Sequence, residues 1–371
     1  MLAPKFCPNL SLAQSNMWVS SVRFWALALT LFDSQNVEAH LSIGGWTGSR
    51  YFSSAVSTAE SRTAFVKTIV DLVNQYDLDG IDFDWEYPNK QGIGCNQISS
   101  NDASNYLAFL QELRKDSTGS KITLSAAVGI APFVGSNGTP MTDVSGFADV
   151  LDHIAIMNYD VWGSWSSTVG PNSPLDDACA PTKAGSAVSA VKAWTDAGFP
   201  ANQIALGVAA YGHSFHVSQQ AALGSQAQSA NLQDATLQLY PAFDKALQPH
   251  GDSQDGAAGQ DECGNQVPVG GIFNFWGLVD GGFLNQDGTA DTGNGIVYRY
   301  DNCSQTPFVY SPTSQVMVSY DDKTSFAAKG KWIEENGLKG FAMWHVLGDF
   351  DDILLDSISE AMGVEVEQCG A

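Results

Sequence analysis

The stretch Leu-Asp-Gly-Ile-Asp-Phe-Asp-Trp-Glu-Tyr-Pro, from position 78 to position 88, alternates between acidic and apolar side chains. In an extended strand, successive side chains point to opposite faces, and neighbours on one face lie about 6.5 to 7 Å apart. The side chains on one face are all acidic: Asp82, Asp84 and Glu86. The opposite face carries Phe83 and Trp85, which need a hydrophobic layer behind them. The pattern predicts a strand over 80–86 whose acids point into a confined space.

These three acids cannot all be ionised, because like charges in a poorly solvated space raise one another's pKa. At least one should keep its proton near neutral pH, which is how a protein retains a general acid. A solvated acidic loop fits less well, because loops seldom alternate this cleanly with large apolar side chains. An EF-hand calcium loop also fits poorly, since the spacing lacks its glycine and its terminal glutamate. Asp79 precedes the alternating run, and we expect a structural role for it.

The chain of 371 residues is long enough for one large α/β barrel, alone or with a small inserted domain. With 44% hydrophobic residues, it can build a full core. Its 17 basic and 40 acidic residues give a net charge of −23, so its surface repels nucleic acid and anionic membranes. We therefore expect neither as a partner, whereas a neutral or cationic polymer is not repelled. The 10 tryptophans and 11 tyrosines serve either core packing or stacking on sugar rings.

The six cysteines include no C-x-x-C pair, which argues against a zinc or redox centre. An even number of scattered cysteines favours structural disulfides and an oxidising compartment. Cys95 and Cys179 both fall in loops expected to follow barrel strands, so we predict that they pair. Cys263 and Cys303 share a later segment, and we predict a second pair there. We expect a secreted protein, although the opening residues lack the apolar core of a signal peptide.

Segments typical of strands alternate with amphipathic helical segments from position 40 onward. The predicted strands cover 40–46, 80–86, 122–128, 154–160, 204–211, 316–320 and 340–346. The predicted helices cover 59–76, 104–115, 185–197 and 325–336. This alternation favours right-handed βαβ units and a parallel sheet. The predicted domains are an unclear N-terminal segment at 1–39, a barrel at 40–211 and 316–362, an α+β insertion at 212–315 and a C-terminal tail at 363–371.

Polar and aromatic residues gather at the predicted C-terminal ends of the strands. These residues are Trp46, Glu86, Tyr159, Asp160, Tyr211 and Trp344. In a closed barrel such ends meet at one mouth, where barrel enzymes act. An open, doubly wound sheet is the competing architecture. It would carry a glycine-rich phosphate-binding turn after its first strand, and this sequence shows none.

Five segments in chain order carry a resemblance to glycoside hydrolase family 18, the chitinases. Asp79-Gly-Ile-Asp-Phe-Asp-Trp-Glu86 resembles the D-G-x-D-x-D-x-E signature of that family. Ser42-Ile-Gly-Gly-Trp46 resembles its third-strand S-x-G-G motif, and Met157-Asn-Tyr-Asp160 resembles its sixth-strand M-x-Y-D motif. Tyr211-Gly212 resembles the start of its Y-G-R motif, and Ala342-Met-Trp344 resembles the eighth-strand segment with a cleft-floor tryptophan.

This resemblance covers about 40–362, and in its overall character the sequence is most similar to secreted fungal chitinases. It implies a (β/α)8 barrel with a small α+β chitinase insertion domain at 212–315, where the alternation of strand-like and helical segments is interrupted. It also implies hydrolysis of the β-1,4 bonds of chitin with retention of configuration. The substrate's own N-acetyl oxygen attacks the anomeric carbon and gives an oxazolinium intermediate. A single protein carboxyl group then performs the proton chemistry.

On this resemblance, Glu86 protonates the leaving oxygen and later deprotonates the incoming water. Asp84 orients the acetamido N–H, and Asp82 shares a proton with it, so that the acids titrate as a coupled set. Tyr159 donates its hydroxyl to the acetamido group and holds the attacking oxygen near the anomeric carbon. The residues implied in substrate binding are Trp46, Met157, Asp160, Tyr211 and Trp344.

The partner implied by the resemblance is chitin or a chitooligosaccharide, and we expect a monomer with no cofactor and no metal. Trp162 and Trp165 are, like Trp46, candidate platforms for further sugars, although core packing explains each of them equally well. His213 stands where the family has arginine, which removes a fixed charge from one cleft wall. With His216 it does not suggest a metal pair, because isolated histidines at a strand exit are seldom ligands.

Two other functions share this signature: a catalytically silent chitin-binding lectin on the same fold, and an endo-β-N-acetylglucosaminidase acting on N-glycans. Lectin-like relatives usually lack Glu86 or Asp84, and both are present here, which favours the enzyme. The insertion domain deepens the cleft for a polymer and argues against the second function. The family's first strand is not recognisable in 1–39, where only 22–31 resembles a strand. We therefore expect the first barrel strand to be missing or altered.

Overall fold

The computed structural model describes residues 37–228 and 235–364. The predicted strand-like segment at 22–31, and with it the question of the first barrel strand, lies outside the described residues. Among the helices of the described part, none is long and apolar enough to cross a membrane.

The described chain divides into two compact units. The first unit takes in the described residues up to Val128, the segment Phe133–Ile154 and the last two described residues. The second unit is made up of Gly129–Pro132 and of the described residues within Ala155–Met362.

Parallel strands alternating with helices form the first unit. Its strands are β1 (His40–Gly44), β2 (Gly80–Asp84) and β3 (Thr123–Val128), and β4 (His153–Ile156) spans the division between the units. Its helices are α1 (Gly45–Gly48), α2 (Phe52–Val56), α3 (Ala59–Tyr76), α4 (Asp102–Leu113) and α5 (Ser145–Ala148), with a 3-10 turn at Ser49–Tyr51. Strand β2 pairs in parallel with β1 on one side and with β3 on the other. This arrangement confirms the predicted βαβ pattern.

Helix α3 begins and ends where local sequence signals require. The side chain of Thr58 accepts a hydrogen bond from the Ser61 N–H at 3.1 Å, and the Ser61 hydroxyl oxygen accepts one from the Thr58 N–H at 3.0 Å. This reciprocal pair is a capping box. At the other end, Asp77 adopts a left-handed conformation with φ of 51°, which stops the helix. The predicted helix at 59–76 is confirmed to the residue.

An aromatic layer backs the apolar face of β2. The ring of Trp85 stacks on Phe52 of α2 with a centroid distance of 5.2 Å and meets Tyr106 of α4 edge-on at 5.4 Å. Phe83 contacts Phe109 of α4 edge-on at 5.5 Å. Such offset and edge-to-face pairs are the favoured aromatic geometries. This is the hydrophobic backing that the alternating sequence predicts.

The second unit contains one parallel strand pair and a set of antiparallel strands. Its strands are β5 (Ile204–Ala209), β6 (Tyr211–His216), β7 (Gly259–Gln260), β8 (Gln266–Val267), β9 (Ile272–Asn274), β10 (Val297–Asp301), β11 (Thr306–Ser311), β12 (Val316–Ser319) and β13 (Gly340–Trp344). Its helices are α6 (Ala187–Asp196), α7 (Gln219–Leu223), α8 (Phe275–Asp280), α9 (Lys323–Glu335) and α10 (Ile353–Ala361). Short 3-10 turns lie at Ala201–Gln203, Gly224–Gln226, Lys245–Leu247, Thr292–Asn294 and Val346–Gly348. Strands β5 and β13 pair in parallel, as in a barrel.

The five-stranded antiparallel sheet has the strand order β10-β11-β12-β6-β9. The strand predicted at 316–320 is present as β12, but it pairs antiparallel with both β6 and β11. Strand β6 begins only two residues after β5 ends, so the chain passes from parallel to antiparallel pairing almost at once. This sheet fits the α+β insertion predicted at 212–315. The domain boundaries themselves stay a prediction.

The two disulfides predicted from the sequence are wrong: Cys95–Cys179 and Cys263–Cys303. Cys179 is bonded instead to Cys303, with the Cα atoms 6.1 Å apart, and the other two described cysteines are disulfide-bonded as well. The reason is a contact distant in sequence. The N–H of Leu175 donates to the carbonyl oxygen of Ser304 at 2.8 Å, which brings the loop before α6 against the β10–β11 turn.

A buried ion pair anchors α9 to its surroundings. The Lys329 Nζ donates to Asp321 Oδ1 at 2.6 Å and to Ser173 Oγ at 2.9 Å, and both charged side chains are fully buried. Burial lowers the pKa of Lys329 and raises the pKa of Asp321, although each charge favours the other. Ser173 Oγ donates in turn to the carbonyl oxygen of Asn158 at 2.6 Å. The ion pair is thus connected to the segment that follows β4.

The substitution Lys329→Met removes one partner of this pair and leaves the Asp321 carboxyl buried without its cation. We expect the free energy of unfolding to fall by about 3 to 5 kcal/mol, measured by urea denaturation. Lys331→Met is the matched control, because the Lys331 Nζ is exposed and lies 3.7 Å from Glu335 on the same helix. The control should cost less than about 1 kcal/mol. Equal losses in the two variants would contradict the importance of the buried pair.

Candidate active site

Strand β2 separates its acidic and apolar faces as the sequence predicts. The buried residues are Ile81, Phe83 and Trp85. The partly exposed residues are Asp82, Asp84 and Glu86. The strand ends at Asp84, so the predicted strand at 80–86 is two residues too long. Glu86 lies just beyond the strand, where its peptide bond to Tyr87 is cis.

The Asp82 carboxylate is held from both sides by hydroxyl groups of the neighbouring strands. The Ser42 hydroxyl of β1 donates to Asp82 Oδ2 at 2.7 Å, and the Ser125 hydroxyl of β3 donates to Asp82 Oδ1 at 2.7 Å. The three residues occupy one register position across β1, β2 and β3. Both oxygens accept hydrogen bonds, as an ionised carboxylate does. The structure therefore fixes a negative charge at this point of the strand.

Asp84 is the acid whose proton affinity the structure changes most clearly on this strand. Burial, followed by the negative charge of Asp82, raises the pKa of Asp84 to about 6. Its Oδ1 atom is buried and has no hydrogen-bond partner. A pKa of about 6 brings the titration of Asp84 closer to neutral pH, whereas the expectation that it keeps its proton there stays a prediction. The same expectation for Glu86 also stays a prediction.

The glycine pair before Trp46 is required by the close approach of β1 to β2. Gly44 has φ of 118°, and a Cβ atom there would lie 2.1 Å from the carbonyl oxygen of Asp84. Gly45 has φ of 82°, and the chain then enters the short helix α1. Trp46 lies in that helix with 51% of its surface exposed. This exposure argues against the alternative of core packing for Trp46, and its role as a sugar platform stays a prediction.

In the second unit, Asp160 is the centre of a compact polar cluster. The Tyr211 hydroxyl donates to Asp160 Oδ1 at 2.8 Å, and His213 Nε2 lies 2.7 Å from the same oxygen. Burial acts to raise the pKa of Asp160, but the hydrogen bond and charge of His213 and the hydrogen bond of Tyr211 outweigh it, so the pKa is lowered. His213 thus meets the carboxylate directly in the position where the family has arginine.

Three further predicted residues lie around this cluster or just before it. Tyr159 is half-buried, and its ring meets the ring of Tyr211 edge-on at 6.1 Å. Met157 is also half-buried and follows the end of β4 directly. Tyr211 itself is buried, and its hydroxyl donates to Asp160. In this structure Tyr211 therefore holds the Asp160 carboxylate in position.

The backbone that carries Tyr159 and Asp160 is bound by a buried asparagine. Asn172 Oδ1 accepts a hydrogen bond from the Asp160 N–H at 2.9 Å, and Asn172 Nδ2 donates to the carbonyl oxygen of Tyr211 at 3.0 Å. Asp160 has φ of 54°, a left-handed conformation that is unusual for a residue other than glycine. The asparagine therefore supports a strained segment and links it to β6.

The candidate sugar platforms divide by exposure. Trp344 ends β13 and is 58% exposed, and Trp165 is equally exposed and rests on Gly163. Trp162 is buried against Gly170 and meets Tyr240 at 5.5 Å, which favours core packing, the alternative given for it from the sequence. The sequence could not distinguish Trp162 from Trp165, because the two tryptophans lie three positions apart in one loop.

Sequence reasoning missed the uncharged residues that hold the acids. Ser125 is the one hydroxyl residue within β3, Thr-Leu-Ser-Ala-Ala-Val, after its first position, and this isolation was a usable signal. Ser49 and Asn172 carry no such signal, because Ser49 begins a short 3-10 turn and Asn172 lies in a loop. Among the residues that the structure describes, no group of three or more His, Cys, Asp or Glu is arranged to hold a metal ion.

Comparisons with known proteins agree on one family. The model of glycosyl hydrolases family 18 matches residues 11–349. A chitinase-like effector of Moniliophthora roreri is 54% identical over 88% of this chain and 78% of that protein, and one of Moniliophthora perniciosa is 49% identical over 91% and 75%. A crystal structure of a chitinase from Rhizomucor miehei has a TM-score of 0.81 and 33% identity, covering 92% of this chain and 89% of that one. The predicted fold class, an α/β protein with a (β/α)8 barrel, is confirmed.

The substitution Asp84→Asn should stabilise the protein at high pH. The pKa of Asp84 is raised to about 6, so its ionisation costs the folded state free energy that the unfolded chain does not lose. This cost is absent below about pH 4 and complete above about pH 7, which predicts a gain of about 1 to 3 kcal/mol at high pH only. Denaturant unfolding at the two ends of this range measures it. A variant less stable than the wild type at high pH would contradict the account.

The substitution His213→Leu should raise the pKa of Asp160. It removes the partner that most strongly favours the ionised carboxylate, while the burial that disfavours ionisation remains. Tyr211→Phe removes a neutral donor and should raise the pKa by less. Carbon-13 NMR titration of labelled aspartate, with Asp160→Asn to assign the signal, gives both values. An unchanged pKa in the His213 variant would show that the contact carries no electrostatic weight.

Proposed function

Because this chain belongs to family 18 of the glycosyl hydrolases, we propose that it is a chitinase that hydrolyses β-1,4-linked N-acetylglucosamine with retention of configuration. One observation carries the proposal. On β2, a fixed Asp82 carboxylate stands beside Asp84, whose pKa is raised to about 6, and Glu86 follows two residues later. A lectin needs no such arrangement of coupled acids, whereas proton transfer does.

The proposed first step uses Glu86 and Asp84. Glu86 donates its proton to the glycosidic oxygen as the bond to the anomeric carbon breaks. The N-acetyl oxygen of the same sugar attacks that carbon and forms an oxazolinium ion. The acetamido N–H requires an acceptor during this step, and the buried, unpartnered Oδ1 of Asp84 supplies one. The carboxylate then stabilises the positive charge that develops on the ring.

The proposed second step reverses the part of Glu86. The carboxylate left by the first step removes a proton from water, which attacks the anomeric carbon and opens the oxazolinium ring. Attack from the face that the leaving group occupied restores the original configuration. Asp82, held by Ser42 and Ser125, shares a proton with Asp84, so that the two acids titrate as a coupled pair.

We propose sugar-binding roles for the remaining motif residues. Tyr159 donates its hydroxyl to the acetamido oxygen, and Asp160, held by Tyr211, accepts from a sugar hydroxyl. The exposed indoles of Trp344 and Trp46 stack on sugar rings, and Met157 contributes apolar contact. Because chitin is uncharged, the net charge of −23 does not oppose its binding. The disulfides of the described part support a secreted protein.

A catalytically silent chitin-binding protein is the second candidate function. It is favoured by the names of the two Moniliophthora relatives, which are called chitinase-like effectors rather than chitinases. The presence of Asp82, Asp84 and Glu86 favours the enzyme. Incubation of this chain with chitin tetrasaccharide separates the two, because only the enzyme yields shorter oligosaccharides.

The substitution Glu86→Gln should abolish hydrolysis while preserving binding, because the amide fills the same space but cannot transfer the proton. We expect turnover of chitin tetrasaccharide to fall by at least about 100-fold, with affinity for it within about threefold of the wild type. Glu334→Gln, an exposed glutamate of α9, is the matched control and should leave both values unchanged. Normal turnover in the Glu86 variant would refute the proposed mechanism.

A further inference from the structure

We propose that Ser49 and Asn96 are positioning residues that hold the main chain of Glu86, and so the proton donor, in place. This inference rests on the proposed function. Glu86 lies beyond the end of β2, whose pairing with β1 and β3 stops at Asp84. Its position therefore needs another source of support, and the structure supplies it from two side chains of the first unit.

The Ser49 hydroxyl bridges the chain across Trp85. Its Oγ atom donates to the carbonyl oxygen of Asp84 at 3.0 Å and accepts from the N–H of Glu86 at 2.8 Å. Ser49 is fully buried, so water does not compete for these bonds. A hydroxyl group can donate and accept at once, which neither alanine nor cysteine reproduces well. One atom thus fixes the distance between the last residue of the strand and Glu86.

Asn96 binds the other polar backbone atom of Glu86. Its Nδ2 donates to the carbonyl oxygen of Glu86 at 2.7 Å. The main chain of Asn96 is itself fixed by Gln91, which accepts from the Asn96 N–H at 3.1 Å and donates to the Asn96 carbonyl oxygen at 3.0 Å. A Cβ atom on Gly92 would lie 2.2 Å from the carbonyl oxygen of Glu86, so the loop packs directly against that peptide. The two sides of Glu86 are therefore both bound.

A buried carboxylate fixes the loop that follows. Asp102, at the start of α4, accepts hydrogen bonds from the Ser53 hydroxyl at 2.6 Å, the Ser99 N–H at 2.8 Å and the Asn89 N–H at 3.1 Å. The side chain of Trp85 is held between Phe52 and Tyr106 at the same time. With its neighbours on both sides immobilised, the main chain of Glu86 has little freedom to move.

This geometry predicts a specific effect on kcat and KM. Removing the support should misplace the Glu86 carboxyl relative to the glycosidic oxygen, while the side chains proposed to bind sugar are untouched. A misplacement of about 1 Å at a reacting group costs up to about 100-fold in activity, and a smaller one costs on the order of 10-fold. We therefore expect kcat to fall by a factor in this range in Ser49→Ala, with KM for chitin tetrasaccharide within about twofold.

The experiment compares four variants of the full chain. Asn96→Asp keeps the shape of asparagine but replaces the donor with an acceptor, and it should lower kcat as Ser49→Ala does. Ser49→Thr retains the hydroxyl and should recover most of the lost kcat. Ser304→Ala removes an equally buried hydroxyl of the second unit, which donates to Asp301 Oδ2 at 2.7 Å. This control should lose stability without a change in kcat.

Each outcome separates the positioning role from a structural one. A fall in kcat with unchanged KM, corrected for the folded fraction by circular dichroism, supports the proposal, as does a shift in the pH dependence of kcat. Wild-type kcat in folded Ser49→Ala and Asn96→Asp would overturn it, even if Glu86→Gln is inactive. If Glu86→Gln is fully active, the proposed function fails instead. Should Ser49→Ala not fold, the isosteric Asn96→Asp decides alone.

Discussion

The Asp82 carboxylate, bound by two serine hydroxyls, is the interaction on which the chemistry of this protein depends. Ser42 and Ser125 reach it from the strands on either side, so three adjacent strands share one polar contact. The contact fixes both the register of these strands and the position of a negative charge. That charge, together with burial, is what raises the pKa of Asp84 to about 6. Loss of either serine hydroxyl would leave the Asp82 carboxylate less firmly held, and with it the charge that helps to raise the pKa of Asp84.

A second constraint operates where the strands end. Glu86, Tyr159 and Asp160 follow the strands rather than lying within them, so the pairing of the sheet does not hold their backbones. Buried polar side chains replace it. In the first unit the Ser49 hydroxyl binds the Glu86 N–H, and in the second unit the Asn172 amide binds the Asp160 N–H. Rigid placement beyond a strand end thus has a similar physical solution in each unit.

Local and periodic features could be predicted from the sequence. The alternation along β2 identified the buried aromatic face correctly, and the helix at 59–76 begins and ends where its capping residues lie. The motif residues Asp82, Asp84 and Asp160 could be selected as candidates, because acids in apolar surroundings stand out in a sequence. The parallel βαβ arrangement followed from the alternation of strands and helices, and the (β/α)8 barrel followed from the family resemblance.

Long-range contacts could not be predicted in this way. The Cys179–Cys303 bond joins residues 124 positions apart, and nothing in either local sequence indicates it. The strand at Val316–Ser319 was expected from the sequence. Its antiparallel pairing, however, depends on β6 (Tyr211–His216), which lies about 100 residues earlier in the chain. Trp162 and Trp165 look alike in sequence, and only packing distinguishes the buried ring from the exposed one. The sequence therefore predicted local conformation, but it did not predict which distant residues pair with or pack on one another.

The measurement that tests the account most directly is the configuration of the first product. Proton NMR of a fresh reaction of this chain with chitin tetrasaccharide reports the anomer before mutarotation. The account predicts the β anomer, because attack by the N-acetyl oxygen followed by water retains the configuration of the cleaved bond. Initial formation of the α anomer would contradict substrate assistance. Binding of the tetrasaccharide by folded protein with no product at all would contradict the assignment as an enzyme.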